Sequence, residues 1–470
     1  MTHLSSDRPT LSINGSVVSL ASTPPTMTLL QFLQQSGRTG TKEGCGDGDC
    51  GACTVVLVGQ DADGQPQYQA VNSCLIPVGA LVGRDVITVE GVANGALHPV
   101  QAAMVELGGS QCGYCTPGFI MSMFAAYYDG PMDDVAIEGN LCRCTGYLPI
   151  RRAAQQVVEA RSPQACDSFA QKLTAATPTL APVSYEHHEH AFYRPTELRS
   201  LLTLLAEYPN ATLIAGGTDL GLELSHHRQH YPIMISLEAV QELQGITQTD
   251  AAVTIGAAVP LSQVEKTLQG VFPSLDTMLY WFAARQVRNR ATVGGNIGTA
   301  SPIGDLPPVL LSLDATITVT SVRGDRTLPL SEFFTGYRQT QRQPDEVIVS
   351  VTIPKSLGTG AVRRLCQSYK IGKRGTDDIS IVAAAFCVDL DANDCVVRAR
   401  LGYGGVAATP ARAIAVEQAL VGQPWTHDTV RSLKPLLLQA FTPLTDLRGS
   451  ASYRQRLVAN LFEKFFVEMG

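Results

Sequence analysis

Apolar and polar positions alternate over Thr10–Leu20 (TLSINGSVVSL) on either side of Asn14-Gly15, a pair that favours tight hairpin turns, so the pattern predicts two short strands. Thr28–Gln35 has helical spacing. Thr54–Val58 (TVVLV) reads as a strand, followed by a turn at Asp61–Gln65 and a last strand near Asp85–Val89. Beyond residue 91 the spacing turns helical. Pro99 suits a first helical position ahead of Val100–Leu107, and Pro117 opens the apolar stretch Phe119–Tyr128. Further helices are predicted over Met132–Leu141 and Ile150–Ala160. From Tyr193 strands and helices alternate, with a capped amphipathic helix at Pro195–Glu207 and a strand at Ala211–Ala215. After about Ala361 come strands Ile379–Leu390 and Val396–Tyr403, then helices Arg412–Val421, Thr429–Ala440 and Ser452–Met469.

The elements divide the chain into an α+β series: 9–90 as a β-grasp ferredoxin-like module, 91–162 as a helical module, 191–356 and 361–468 as two α+β domains. Residues 163–190, rich in Ser, Pro, Ala, Thr and acids, read as a linker. A length of 470 residues allows each part its own core. There is no internal repeat, catalytic triad or paired acidic motif.

Charge narrows the partners. With 35 basic and 42 acidic residues the net charge is −7, which argues against nucleic acid or an anionic membrane. No run of 18 apolar residues occurs, and MTHLSSDRPT lacks the basic and apolar regions of a secretory leader. The expected compartment is the reducing cytoplasm.

Cysteine placement carries the first chemistry. Eight of the 12 cysteines lie at or before Cys144, at metal-ligand spacings unlike a disulfide framework. GCGDGDCGAC sets Cys45, Cys50 and Cys53 as C-x4-C-x2-C, with Cys74 further on, the plant-type pattern for a 2Fe–2S cluster. Its glycines allow a backbone that wraps a cluster and turns N–H groups toward sulfur. Cys112 and Cys115 (QCGYCTPG) and Cys142 and Cys144 (LCRCTGY) fall at two helix junctions that a helix hairpin can bring together, suiting a second 2Fe–2S cluster. Zinc is the competing reading for both sets, although C-x4-C-x2-C and C-x-C match zinc spacings poorly. Cys166, Cys366, Cys387 and Cys395 are scattered and read as ordinary thiols.

Three other patterns need weighing. Gly46–Gly51 matches G-x-G-x-x-G, but a strand follows it and none precedes it, contrary to a dinucleotide fingerprint. EHHEH at 186–190 and HHRQH at 226–230 look metal-like, yet neither run offers a full ligand set, and both read as solvated surface. The glycine-rich turns AGGTDLG and VRNRATVGGNIG, each read as following an apolar strand, can present N–H groups to a pyrophosphate; two ordinary tight turns are the alternative.

GCGDGDCGAC, QCGYCTPG, GNLCRCTGY, AGGTDLG, TVGGNIGTASPIGDLPP and YKIGKRGTDDI occur in that order. Order and wording resemble the iron–sulfur and flavin portion of xanthine dehydrogenases, from about residue 10 to 465. The resemblance implies two 2Fe–2S clusters and FAD, on a vanillyl-alcohol-oxidase-type flavin domain with a CO-dehydrogenase-flavoprotein-like C-terminal domain. Cys45, Cys50, Cys53 and Cys74 match the cluster nearer the flavin, and Cys112, Cys115, Cys142 and Cys144 the one nearer molybdenum. Gln111 matches a molybdopterin contact. Leu213, Ile214, Ala215, Gly216, Gly217, Thr218, Asp219 and Leu220 match the flavin pyrophosphate and ribityl lining, as do Thr292, Val293, Gly294, Gly295 and Asn296. Phe282 matches an aromatic against the isoalloxazine, and Asp305, Ile348 and Lys370 match further flavin contacts. Tyr337 and the loop Ile371–Asp378, with Asp377, match the NAD face.

The sequence holds no molybdenum domain. The resemblance therefore implies the small subunit of a split bacterial enzyme, with a molybdenum-cofactor-binding large subunit as partner and a dimer of the two-chain unit. The expected role is an electron relay with no catalytic side chain of its own: purine hydroxylation in the partner, one-electron passage through two clusters, then FAD and NAD⁺. The same relay in an aldehyde or N-heterocycle hydroxylase is the second expectation, and a zinc-stapled binding protein the third.

Overall fold

A computed structural model describes residues 9–61, 63–93, 95–160, 167–175 and 179–470. It divides into two compact units: residues 1–241 with 283–291, and residues 242–282 with 292–470.

In the first unit, β1 (Thr10–Ile13) and β2 (Ser16–Ser19) form the hairpin expected from Asn14-Gly15, with Asn14 at φ 52° and Gly15 at φ 80°. β3 (Thr54–Gln60), β4 (Pro66–Asn72) and β5 (Asp85–Ile87) complete a sheet of order β2-β1-β5-β3-β4, with β1 and β5 parallel. β4 escaped the sequence pattern because PQYQAVN mixes polar residues into a strand that is half covered. The helix Leu29–Gln35 crosses the sheet behind a Thr28/Gln31 capping box.

Helices Pro99–Glu106, Thr116–Asp129 and Leu148–Ala160 make the second module. Thr116–Asp129 has two working faces. Phe119, Ile120 and Met123 pack among Val100, Ile150 and Val157, while Met121, Phe124 and Ala125 pack on Val56, Tyr68 and Ile87 of the β-grasp sheet. The helix expected over Met132–Leu141 is one turn, Asp134–Ile137. Past its C-cap, Glu138, the chain runs close to other segments: a Cβ on Gly139 would lie 2.1 Å from Gln286 Oε1, and the Leu141 N–H donates to Cys50 C=O instead of continuing the helix.

The linker expectation also needs revision. Ser168–Lys172 is helical, and β6 (Val183–His187) pairs with β7 (His190–Arg194). β8 (Thr212–Ile214) and β9 (Ile233–Ser236) extend this sheet in the order β6-β7-β9-β8. Tyr185, Phe192, Ile214 and Met234 share one apolar core with Leu11, Leu33 and Val86 of the β-grasp sheet. Burial of Tyr185 and Phe192 explains why a stretch of linker-like composition is ordered. The helix Leu198–Glu207 follows, without the side-chain cap expected for it. Cys166 lies outside the described residues.

In the second unit, β10 (Ile246–Gln248), β11 (Ala252–Gly256), β12 (Thr316–Ser321), β13 (Gly324–Pro329) and β16 (Val347–Pro354) form an antiparallel sheet of order β10-β11-β16-β12-β13. β14 (Phe334–Gly336) and β15 (Gln339–Thr340) make a separate ribbon. A second antiparallel sheet runs β17 (Arg363–Ile371), β18 (Val382–Leu390), β19 (Val396–Gly404) and β20 (Ala411–Arg412). β18 is buried at every position, and Phe386 meets Phe462 and Phe465 of the C-terminal helix Ala451–Met469. The helix expected over Thr429–Ala440 is broken in two, His427–Ser432 and Lys434–Gln439, with Pro435 in the first turn of the latter. The fold class is the multidomain α+β type expected from the sequence.

Candidate iron–sulfur and flavin sites

The first cysteine set sits in a loop that only glycines permit. Gly46, Gly48 and Gly51 have φ of 73°, 77° and 66°, and a Cβ on Gly44 would lie 2.5 Å from Cys50 Sγ. The loop turns N–H groups inward: Asp47 and Cys50 donate to Cys45 Sγ, and Cys45 to Cys50 Sγ, each at 3.3 Å. Cys74, in a 3₁₀ turn after β4, places Sγ 3.4 Å from Cys53 Sγ. Cys45 is drawn down to about 5, chiefly by its hydrogen bond with Cys50, whose thiol is pushed up by the same bond. Cys53 is likewise lowered, and Cys74 raised, through their mutual hydrogen bond. Thiolate is the ligand form, and four converging sulfurs served by backbone N–H groups fit a 2Fe–2S cluster.

The second set also converges. Cys115 is pushed up to about 12 by burial and by contact with the Cys142 thiol. Burial opposes ionisation of Cys142, but hydrogen bonds with Thr145 hold it below the ordinary thiol value. The Cys144 thiol meets Cys112, and that hydrogen bond raises it. Cys112 and Cys144 are exposed, as is neighbouring Gln111.

A buried polar network joins the two sets, and sequence reasoning missed it. Leu141 N–H donates to Cys50 C=O at 3.0 Å. Asn140 Nδ2 donates to Gly51 C=O at 3.0 Å, Ser122 Oγ to Asn140 Oδ1 at 2.6 Å, and Gln286 Nε2 to Ser122 Oγ at 2.9 Å. Asn140 was visible only as the asparagine of GNLCRC, and Gln286 carried no signal at all.

Of the expected flavin residues in the first unit, Leu213 and Ile214 lie in β8, and Ala215–Asp219 form the loop to the helix beginning at Leu220. Gly217 has φ 79°, and a Cβ on Gly216 would lie 1.8 Å from Arg290 C=O. Arg290 Nε donates to Gly216 C=O at 3.3 Å, which faces that carbonyl inward. Arg290 and Arg84 both pair with Glu238. Burial opposes ionisation of Glu238, but the two guanidiniums outweigh it and hold the carboxyl at about 2.

In the second unit, Thr292 caps the helix Val293–Thr299, its Oγ1 accepting from Gly295 N–H at 3.0 Å. This segment was expected as a turn after a strand; instead the short helix Arg285–Arg288 precedes it and it is helical itself. Asn296 Oδ1 is buried with no partner, an orphan acceptor that fits a bound ligand. Asp305 receives Lys370 Nζ at 2.8 Å and Ser380 Oγ at 2.5 Å, and Lys370 also donates to Trp281 C=O. Ile348 is buried in β16 and Phe282 follows the helix Pro273–Trp281. Tyr337 is 64% exposed, and Asp377 adopts φ 60°.

Four family descriptions match: 2Fe-2S iron-sulfur cluster binding domain over 11–79, 2Fe-2S binding domain over 88–155, FAD binding domain in molybdopterin dehydrogenase over 185–356, and CO dehydrogenase flavoprotein C-terminal domain over 367–469. Fold and site thus define a two-cluster, flavin-type electron-transfer chain. Over nearly its whole length the chain is similar to the iron–sulfur and flavin portion of xanthine dehydrogenases, and the four matched domains together are those of a 2Fe–2S and FAD part of a molybdenum hydroxylase. It is 33% identical to xanthine dehydrogenase of Oryza sativa subsp. japonica, over 94% of this chain and 38% of the relative. It is 33% identical to xanthine dehydrogenase/oxidase of Gallus gallus, over 97% and 39%. The chain therefore spans less than half the length of these relatives. Among solved structures, carbon monoxide dehydrogenase from Hydrogenophaga pseudoflava aligns with TM-score 0.55 and 26% identity, covering 61% of this chain and 96% of that one. Quinoline 2-oxidoreductase from Pseudomonas putida 86 aligns with TM-score 0.54 and 26% identity, covering 60% and 96%.

Proposed function

We propose that the chain is the electron-transfer part of a xanthine dehydrogenase. In this reading a partner chain carrying the molybdenum cofactor hydroxylates hypoxanthine or xanthine toward urate, and the two 2Fe–2S clusters and FAD supply one-electron passage and delivery to NAD⁺. Cys45, Cys50, Cys53 and Cys74 would hold one cluster, and Cys112, Cys115, Cys142 and Cys144 the other. Residues Leu213–Leu220, Phe282, Thr292–Asn296, Asp305, Ile348 and Lys370 would serve FAD, Gln111 the pterin, and Tyr337 and Asp377 the NAD face.

The observation carrying the reading is the 3.0 Å hydrogen bond from Leu141 N–H to Cys50 C=O. It links a cysteine of the first set to the residue before Cys142, as a relay between two cofactors needs. Exposure of Gln111, Cys112 and Cys144 supports a partner at the second set. The split arrangement, a dimer of the two-chain unit and a cytoplasmic location belong to the same proposal.

The chain's own residues hold, insulate and orient; no side-chain acid or base here is asked to act on substrate. The likeness to quinoline 2-oxidoreductase favours one second reading, the same relay behind an N-heterocycle or aldehyde hydroxylase. Purification of the chain with its partner tests both. Four irons and one FAD per chain, with xanthine-dependent NAD⁺ reduction that collapses in Cys50→Ser, support the first reading. Turnover of quinoline or an aldehyde but not xanthine supports the second, and unchanged turnover in Cys50→Ser overturns the relay.

A further inference from the structure

The fold sorts the two histidine-rich runs. His226 Nε2 lies 2.7 Å from Asp47 Oδ1, and His227 Nε2 3.1 Å from Gln31 Nε2. Those rings are engaged with the β-grasp module. His230 turns instead toward the β6–β7 hairpin. β7 and β9 pair in parallel, with Ala191 opposite Ile233 and Ala191 N–H donating to Pro232 C=O at 2.7 Å. That register sets His190 beside the segment leading into β9, and the His190 and His230 ring centroids lie 4.7 Å apart.

One ligand atom from each of Glu189, His190 and His230 lies within 4.8 Å of the other two. His190 Nδ1 is 3.4 Å from Tyr231 C=O. A carbonyl has no proton to give, so this contact is a hydrogen bond only when Nδ1 carries the proton. A neutral ring in that tautomer keeps its lone pair on Nε2, the arrangement in which a backbone carbonyl orients a metal-binding histidine.

We propose that Glu189, His190 and His230 form a binding site for a divalent transition-metal ion of the Zn²⁺ class, with two imidazole nitrogens, one carboxylate oxygen and water as ligands. Tetrahedral zinc needs donors about 3.4 Å apart. Glu189 and His230 are exposed, so their side chains have room to close the remaining ångström or so. Read singly, each run lacks a ligand set; the strand register completes one from both. A bound ion would staple the β6–β7 turn to the 226–230 segment, whose His226 touches the loop of Cys45 and Cys50. The site is independent of the relay reading.

The test is zinc titration of the full chain, cleared of adventitious metal with EDTA and followed by calorimetry and by metal analysis after gel filtration. The wild type is expected to retain one more zinc than His190→Ala or His230→Ala at equal iron content. Each substitution should weaken binding about tenfold or more, while His188→Ala binds as the wild type does. Far-UV circular dichroism shows that the variants fold, whatever their iron content. No zinc uptake by the wild type, or equal uptake by both alanine variants, overturns the site.

Discussion

Leu141 donates its backbone N–H to the carbonyl oxygen of Cys50, and its neighbour Asn140 donates its side-chain amide to the next carbonyl of the same loop, Gly51 C=O. Asn140 is 1% exposed and bonds Gly51 C=O, Ser122 Oγ and Gln286 Nε2. Asn140→Ala leaves several of these groups buried and unpaired, at a cost of about 3 kcal/mol. The unfolding midpoint should fall by several degrees, and iron content should fall with it as the Cys50–Gly51 peptide loosens. An unchanged midpoint would show that the network contributes little.

Gly51→Ala isolates steric cost from backbone cost. Gly51 sits at φ 66°, where a Cβ would lie 2.1 Å from Gly139 C=O and 2.3 Å from Asn140 Nδ2. Gly95 sits at φ 74° with nothing within 4 Å of such a Cβ. Both alanines carry the left-handed penalty of about 1 kcal/mol, but only the first collides. Gly51→Ala should therefore lose iron and visible absorption while Gly95→Ala keeps both. Equal iron in the two variants contradicts this account of the loop.

These two cases show what the sequence displays and what it hides. Cysteine spacing and glycine density marked the loop, because a three-cysteine wrap needs both within a few residues. The helix over Thr116–Asp129 was legible because its apolar residues run around its circumference and it is buried on two sides. Asn140, Gln286 and the Arg84–Glu238–Arg290 set were not, because each acts through partners tens to hundreds of residues away. The hairpin of β6 and β7 was hidden for a related reason: its composition resembles a linker, and it is ordered by a core shared with Leu11 and Leu33. The histidine runs failed as motifs because the ligands converge only through the β7–β9 register.

Asp305 and Lys370 allow structure and binding to be separated. Their side chains are 10% and 3% exposed and meet at 2.8 Å. Asp305→Ala leaves a buried ammonium without its carboxylate, a loss of about 3–5 kcal/mol. The double variant Asp305→Asn with Lys370→Met keeps volume without charge and should recover most of that stability. If these residues contact FAD as proposed, flavin content stays low in the double variant despite recovered stability. Full flavin content there would reduce the pair to a structural ion pair.

His98 gives the first unit a pH response. It caps the helix Pro99–Glu106, its Nδ1 accepting from Val100 N–H at 3.3 Å while Nε2 lies 2.9 Å from Tyr128 Oη. Burial lowers its pKa to about 4, against an opposing pull from Asp167. The unfolded chain titrates near 6.5 and so binds more protons than the folded one between those values. His98 therefore contributes its full stability above about pH 6.5 and loses it as pH falls toward 4. Between pH 7.5 and 5 the loss should be about 2 kcal/mol. His98→Asn keeps an acceptor for Val100 N–H and does not titrate. Its stability will be lower throughout, through lost packing against Phe124 and Tyr127, but its curve should lack this slope. The difference between wild-type and variant unfolding free energies, measured across that range, should shrink steadily as pH falls. A constant difference would show that His98 is not the titrating group.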